Sequence, residues 1–209
     1  MTSQTADTHS GDGSVRVAMW SGPRNLSTAL MRSFENRPDT VVVDEPFYAS
    51  YLARTGIDHP GRDSVIASQP TDPAEVVRDP AEVVASYVRS REACEPADIG
   101  LLQQQRLLET WEQRPPVIDA GDFLKDPEGH LRWLCDWLGI PFLPEKLAWP
   151  AGPRASDGVW APYWYDAVWR STGFEPWRRR EVHLSPHDAR VAEACRPAYD
   201  TLRGLRVRI

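Results

Sequence analysis

Lysine is almost missing from this chain of 209 residues: of 24 basic residues only Lys125 and Lys146 are lysine, and the other 22 are arginine. Base composition of a gene produces such a bias, but its chemical consequence is the same. An anion site built here uses arginine forks, which suit planar or tetrahedral oxyanions. Cysteine is scarce as well. Cys94, Cys135 and Cys195 are odd in number and have no CxxC spacing, which argues against a disulfide framework or a zinc site. No apolar run approaches the roughly 20 residues a membrane helix needs, so no membrane partner is expected. MTSQTADTHSGDGS, residues 1–14, lacks the basic and apolar regions of a signal peptide and is expected to be a disordered tail. The remaining 15–209 is expected to form one domain, and a cytoplasmic location follows as the default. The net charge of −6 argues against nucleic-acid binding, which wants a basic footprint. Charge is uneven, with ten Arg against seven Asp and Glu in residues 151–209, so that segment carries +3 and residues 1–150 carry −9.

What is present is an α/β pattern. VRVAMW (Val15–Trp20) and TVVVDEP (Thr40–Pro46) are apolar runs of strand length, as expected for a parallel sheet with helices on both faces. Between them Leu26, Ala29, Leu30 and Phe34 recur at helical spacing across Leu26–Glu35, completing a βαβ unit. Further helices are expected at Phe47–Arg54, Asp79–Arg91, Ile99–Gln113, Asp126–Gly139 and Pro186–Leu202. Asp58–Arg62 is expected to be a loop, and PPVIDAG (Pro115–Gly121) to hold a short strand centred on Val117–Asp119. Gly139 and Pro141 stop one helix, while Ser185 as N-cap and Pro186 at the first position start the last. The five histidines read as surface residues, and none has metal-ligand spacing. Late tryptophans (Trp149, Trp160, Trp164, Trp169, Trp177) serve either as core or as the wall of an apolar acceptor pocket.

The stretch SGPRNLST (Ser21–Thr28) follows the first strand directly. Such a turn points backbone amides at an anion and is helped by the helix dipole. Gly22 and Pro23 set a tight turn, Arg24 supplies a bidentate cation, and Ser27 and Thr28 add hydroxyls. The GK[ST] ending of a nucleoside triphosphatase loop is absent, which disfavours a kinase. An ordinary βα turn with a solvated arginine has the same composition.

Beyond the turn chemistry, PRNLST (Pro23–Thr28) resembles the PRSGST-type loop of sulfotransferases that use 3′-phosphoadenosine 5′-phosphosulfate. Two further stretches share the resemblance. Arg78-Asp79-Pro80 with Ser86 has the spacing of that family's 3′-phosphate site, and PVIDAGDFLKDPEGHLRWLCDWLGIPF (Pro116–Phe142) is similar to the late strand and helix of bacterial members. The resemblance implies a P-loop-containing nucleotide-hydrolase-like fold. It implies a cofactor site of Gly22, Pro23, Arg24, Asn25, Ser27, Thr28, Arg78, Ser86 and Arg154, the last from the family's loop over the cofactor. The sulfonyl donor is the phosphosulfate nucleotide, a small-molecule hydroxyl or amine is the acceptor, and no metal is required. Leu26 departs from the pattern, standing where the family often has glycine.

Arg24 and Glu45 are the catalytic candidates. Glu45 follows the second strand 21 residues after Arg24, at the carboxyl edge where ligands bind in open parallel sheets. A base there takes the acceptor's proton; alternatively Asp44 and Glu45 cap a helix beginning at Pro46.

The spacing between the two motifs is short. Arg24 to Arg78 spans 54 residues, and TDPAEVV (Thr71–Val77) is followed at once by RDPAEVV (Arg78–Val84). Chance or a local duplication accounts for the repeat alone; an internal deletion before Arg78, removing one or more central strand and helix units, accounts for both. Two functions follow: an active sulfotransferase, or a catalytically impaired relative that binds nucleotide or a partner without turnover.

Overall fold

The computed structural model of the chain describes residues 14–45, 48, 52, 62–66, 94–111, 114–179 and 181–209. They fall in two compact units, one formed by Met1–Ser27, Ala74–Pro141 and Glu175–Ile209, the other by Thr28–Pro73 and Phe142–Phe174.

In the first unit the helix ends are set by the residues that signal them in the sequence. Asp126 caps the helix Pro127–Leu138 by accepting the Gly129 amide at 2.9 Å, with Pro127 in the first turn. A side chain at position 129 would place its Cβ 2.2 Å from the Asp126 carboxylate, which would have to shift to make room. Gly139 ends the helix at φ 69°, a left-handed turn that glycine adopts freely. The Ile140 amide then closes back on the Cys135 carbonyl at 2.9 Å. Ser185 likewise caps Pro186–Gly204, accepting from the Asp188 amide at 3.2 Å. Along that helix Val191, Ala192, Cys195, Ala198, Tyr199 and Leu202 form one buried face. They pack with Cys94, Ile99, Leu101, Leu108 and Val117 into a single core. All three cysteines are free thiols buried in this unit, and burial pushes the Cys94 thiol up to about 12.

The second unit is organised by aromatic residues. Leu52, Val65, Trp160, Ala161 and Tyr165 form its core, with Tyr48, Trp164, Val168 and Trp169 packed against them. Of the late tryptophans, Trp149 and Trp160 are buried while Trp177, in the first unit, is exposed. Trp149 stands edge-on to Phe174 with ring centroids 5.0 Å apart, and its amide donates to the Thr172 carbonyl at 3.0 Å. The helix Ser27–Glu35, which starts at the end of the SGPRNLST turn, buries Leu30, Met31, Arg32 and Ser33.

Extended structure differs from the sequence expectation. Among the described residues it takes the form of single bridge positions: Val117 pairs with Arg206 in parallel and Ala148 with Gly173 in antiparallel, and Val15, Ser21 and Asp119 are bridge residues as well. Val41 and Val43, expected inside a covered strand, are 94% and 70% exposed. A β-branched run signals strand through its own residues, but burial needs a neighbour on each face, which lies elsewhere in the chain. His130 also departs from the surface reading. It is buried, with Nδ1 2.8 Å from the Asp126 carbonyl and its ring 5.6 Å from that of Phe123. Arg62, expected in a loop, begins a helix, Arg62–Ile66. The expected helix Asp79–Arg91, the tandem DPAEVV and the proposed deletion point lie outside the described residues, as do most of Phe47–Arg54 and the tail.

Candidate functional site

The turn after Trp20 is shaped by its glycine. A Cβ on Gly22 would lie 2.5 Å from the carbonyl oxygen of Ile99, so position 22 admits no side chain. The glycine serves the approach of two backbone segments within the first unit, a role the turn reading did not anticipate. Arg24 adopts φ 58°, a left-handed conformation that costs a non-glycine residue strain and persists where the surroundings enforce it. Asn25 accepts the Leu26 amide on Oδ1 at 3.0 Å, so that amide is already engaged. Ser27 and Thr28 form the first two positions of the helix, whose leading amides have no partner within the helix itself. Pro23 to Thr28 are all half-buried.

In the second unit Asp44 and Glu45 sit in different surroundings. Asp44 is buried and takes the Tyr165 hydroxyl at 2.8 Å on Oδ1 and 2.7 Å on Oδ2, with the Gly158 amide on Oδ2 at 3.1 Å. Burial raises its pKa, opposed by these hydrogen bonds and by the charge of Arg32. Tyr165 is pushed up as well, chiefly by burial and next by the charge of Asp44. Glu45 has φ 41° and keeps an exposed surface. Its carboxyl is nevertheless raised to about 7, first by burial and then by Asp44. The like charge of Asp44 one residue away acts in this direction whether or not water reaches the carboxyl.

Beside this pair lies an ion-pair network that the sequence did not reveal. Arg32, only 1% exposed, bonds Glu35 at 3.0 Å and also the carboxylate of Asp157. Arg154 meets the same Glu35 oxygen through Nη1 at 3.2 Å. The Ser156 hydroxyl bonds the other Glu35 oxygen, and the Trp169 indole donates to Asp157 at 2.9 Å. Arg154 therefore has a structural partner, yet its Nη2 is buried without an acceptor among the described residues. A buried guanidinium nitrogen left in that state fits an oxyanion ligand.

The candidates thus divide. Gly22, Pro23, Arg24, Asn25 and Ser27 lie in the first unit with Thr28 at the start of the second, and Glu45 and Arg154 lie in the second. Arg78 and Ser86 fall outside the described residues. Tyr165, Arg32 and Asp157 were not singled out in the sequence, and Asp44 only as a helix cap beside Glu45. The pairs Asp44–Tyr165 and Arg32–Asp157 join positions more than a hundred apart. A cleft of about 280 Å³ in the first unit, walled by Leu108, Pro116, Trp133, Trp137 and Leu205 among others, contains none of these residues.

The chain belongs to the sulfotransferase domain family, whose model matches residues 15–77 and 74–204. The two matches overlap at residues 74–77, within the first copy of the tandem repeat. Two proteins of Arabidopsis thaliana, branched-chain-amino-acid aminotransferase-like proteins 1 and 2, are 37% and 33% identical, covering 90% of this chain. The chain spans 41% of the length of each, so their names describe proteins more than twice the matched region. A solved sulfotransferase domain from the Synechococcus PCC 7002 olefin synthase superposes with a TM-score of 0.50 at 16% identity, covering 84% of this chain and 92% of that one. At that identity the similarity speaks to the fold alone. Among the described residues no helix is long and apolar enough to cross a membrane.

Proposed function

We propose that the chain transfers a sulfonyl group from 3′-phosphoadenosine 5′-phosphosulfate to a hydroxyl or amine of a small-molecule acceptor. The observation that carries this reading beyond the family is Glu45. An exposed carboxyl after the second apolar run, raised above the ordinary glutamate range and on a turn held by a buried partner, suits a general base. In the reaction the acceptor oxygen bonds to sulfur while the bond from sulfur to the phosphate oxygen breaks. Adenosine 3′,5′-bisphosphate leaves, and the acceptor's proton passes to Glu45. Arg24 holds negative charge on the moving group, with Ser27 and Thr28 as further donors. Arg78 and Ser86 bind the 3′-phosphate. The spare nitrogen of Arg154 takes an oxyanion of the donor.

The direct test is thermal unfolding with and without adenosine 3′,5′-bisphosphate. Saturation at about 100 times the dissociation constant adds about 2.7 kcal/mol, or roughly 5–10 °C in midpoint for a chain of this size. The shift should vanish in Arg78→Ala. A cooperative transition that the nucleotide leaves unmoved would refute the cofactor site.

One observation favours the impaired alternative. The family match breaks at the tandem repeat. The alignment to the first relative also runs over 231 residues while covering 90% of 209, or about 188, leaving some 43 positions of the alignment without a counterpart here. On this reading nucleotide binds and no acceptor is sulfated, and turnover on any acceptor disposes of it.

A further inference from the structure

Glu45 stands in a left-handed conformation at φ 41°, which a non-glycine residue keeps only where its neighbours enforce it. Among the described residues, one short segment, residues 158–165, reaches the positions on both sides of Glu45. On the amino side of Glu45, the buried Asp44 accepts from the Tyr165 hydroxyl at 2.8 and 2.7 Å and from the Gly158 amide at 3.1 Å. On the carboxyl side, the Tyr48 amide donates to the Glu45 carbonyl at 3.0 Å. The Tyr48 ring meets Trp160 edge-on, with centroids 5.3 Å apart. Trp160 closes the circuit by donating its indole N–H to the Tyr165 oxygen at 3.2 Å. A phenol has a single proton to give, and the two Asp44 oxygens share it. The indole N–H occupies the acceptor side of that phenol and so favours donation towards Asp44.

The geometry points to Trp160 and Tyr165 as positioning residues that set the conformation and proton affinity of Glu45, acting through Asp44 and Tyr48 without touching substrate. The inference rests on the reading of Glu45 as the base. It gives the tryptophan-rich segment a part that neither plain core nor an acceptor wall would have. Among the described residues, the charged and titratable groups acting on the pair include Tyr165, Asp157 and Arg32 around Asp44, and Asp44 and Tyr165 around Glu45. Tyr165 favours the ionised form of Asp44, and that charge keeps the Glu45 proton bound to higher pH. Removing the hydroxyl lets Asp44 take a proton more readily and releases the turn. Glu45 then falls back towards the ordinary glutamate value.

The experiment is Tyr165→Phe in the full chain, read in two ways. The first is the carboxyl titration of Glu45 by carbon-13 NMR, assigned with Glu45→Gln. The second is the kinetics of sulfonyl transfer. The Glu45 midpoint, about 7 in the parent, should drop by about one unit or more, and the acid limb of kcat should move with it. Turnover should fall roughly tenfold, a fraction of what a positioned base contributes, with the donor KM nearly unchanged. An unmoved midpoint overturns the inference, as does an unmoved kcat in an active enzyme. A midpoint that moves in a chain transferring no sulfonyl group to any acceptor upholds the positioning role and removes the base role of Glu45. Trp160→Phe, which removes the N–H together with part of the fused ring and leaves a phenyl ring to face Tyr48, guards against a Tyr165→Phe chain that fails to fold. It should shift the midpoint less and in the same direction, and no shift in it overturns the inference.

Discussion

Replacing Arg32 by methionine tests the second unit at its most heavily committed charge. The guanidinium is 1% exposed and bonds two carboxylates, Glu35 and Asp157, which are themselves 17% and 5% exposed. Methionine keeps most of the volume and removes the charge. It leaves two buried carboxylates facing each other, with Arg154 still engaging Glu35. Breaking a buried pair in this way costs about 3–5 kcal/mol, because the stranded charge loses its compensation and does not regain water. A midpoint change of about 2–4 °C per kcal/mol in a chain of this size gives a fall of roughly 6–20 °C. Circular dichroism melts of the parent, Arg32→Met, Asp157→Asn and the double variant measure the loss. The double variant should recover part of the loss, since one stranded charge is gone. A loss below about 1 kcal/mol in Arg32→Met would refute the reasoning, because the pair would then behave as solvated surface charge.

Two further outcomes follow from single residues. Glu45→Gln should lower turnover by about 100- to 10,000-fold, the contribution of a general base. It should also remove a stability trend: with the folded pKa raised from 4.5 to about 7, the parent loses stability as pH rises through that window, and the glutamine variant does not. Gly22→Ala should destabilise by about 1–3 kcal/mol, as overpacking does, since the new Cβ meets the Ile99 carbonyl at 2.5 Å. Urea denaturation of that variant indistinguishable from the parent would show that the 99–100 backbone yields.

What could be read from the sequence is what neighbouring residues decide among themselves. Asp126 before Pro127 and Gly139 after Leu138 announce both ends of one helix, and Ser185-Pro186 the start of another, because a cap is completed within three or four positions. The turn at Ser21–Thr28 was legible for the same reason. Burial was harder. Val41 and Val43 have the composition of a covered strand and lie exposed. Arg32, one more polar residue on an amphipathic helix, is among the most buried side chains, because its partner Asp157 is 125 positions away. Glu45 was found through its place after the second apolar run, but the device holding it was not. The bonds from Tyr165 to Asp44 span 121 positions, and nothing local to DEP or PYWY predicts that they meet.

The three thiols have a practical consequence. Cys94, Cys135 and Cys195 are all shielded from solvent in the unit that carries the Ser21–Ser27 turn, and the other unit has none. Alkylation requires a thiolate in contact with reagent, and a Cys94 thiol held up to about 12 offers almost none at neutral pH. Labelling of the native chain therefore proceeds only through opening of that unit. Its rate, followed by mass on the intact protein, is a clock for one unit alone, supplied by the native sequence without any engineered probe.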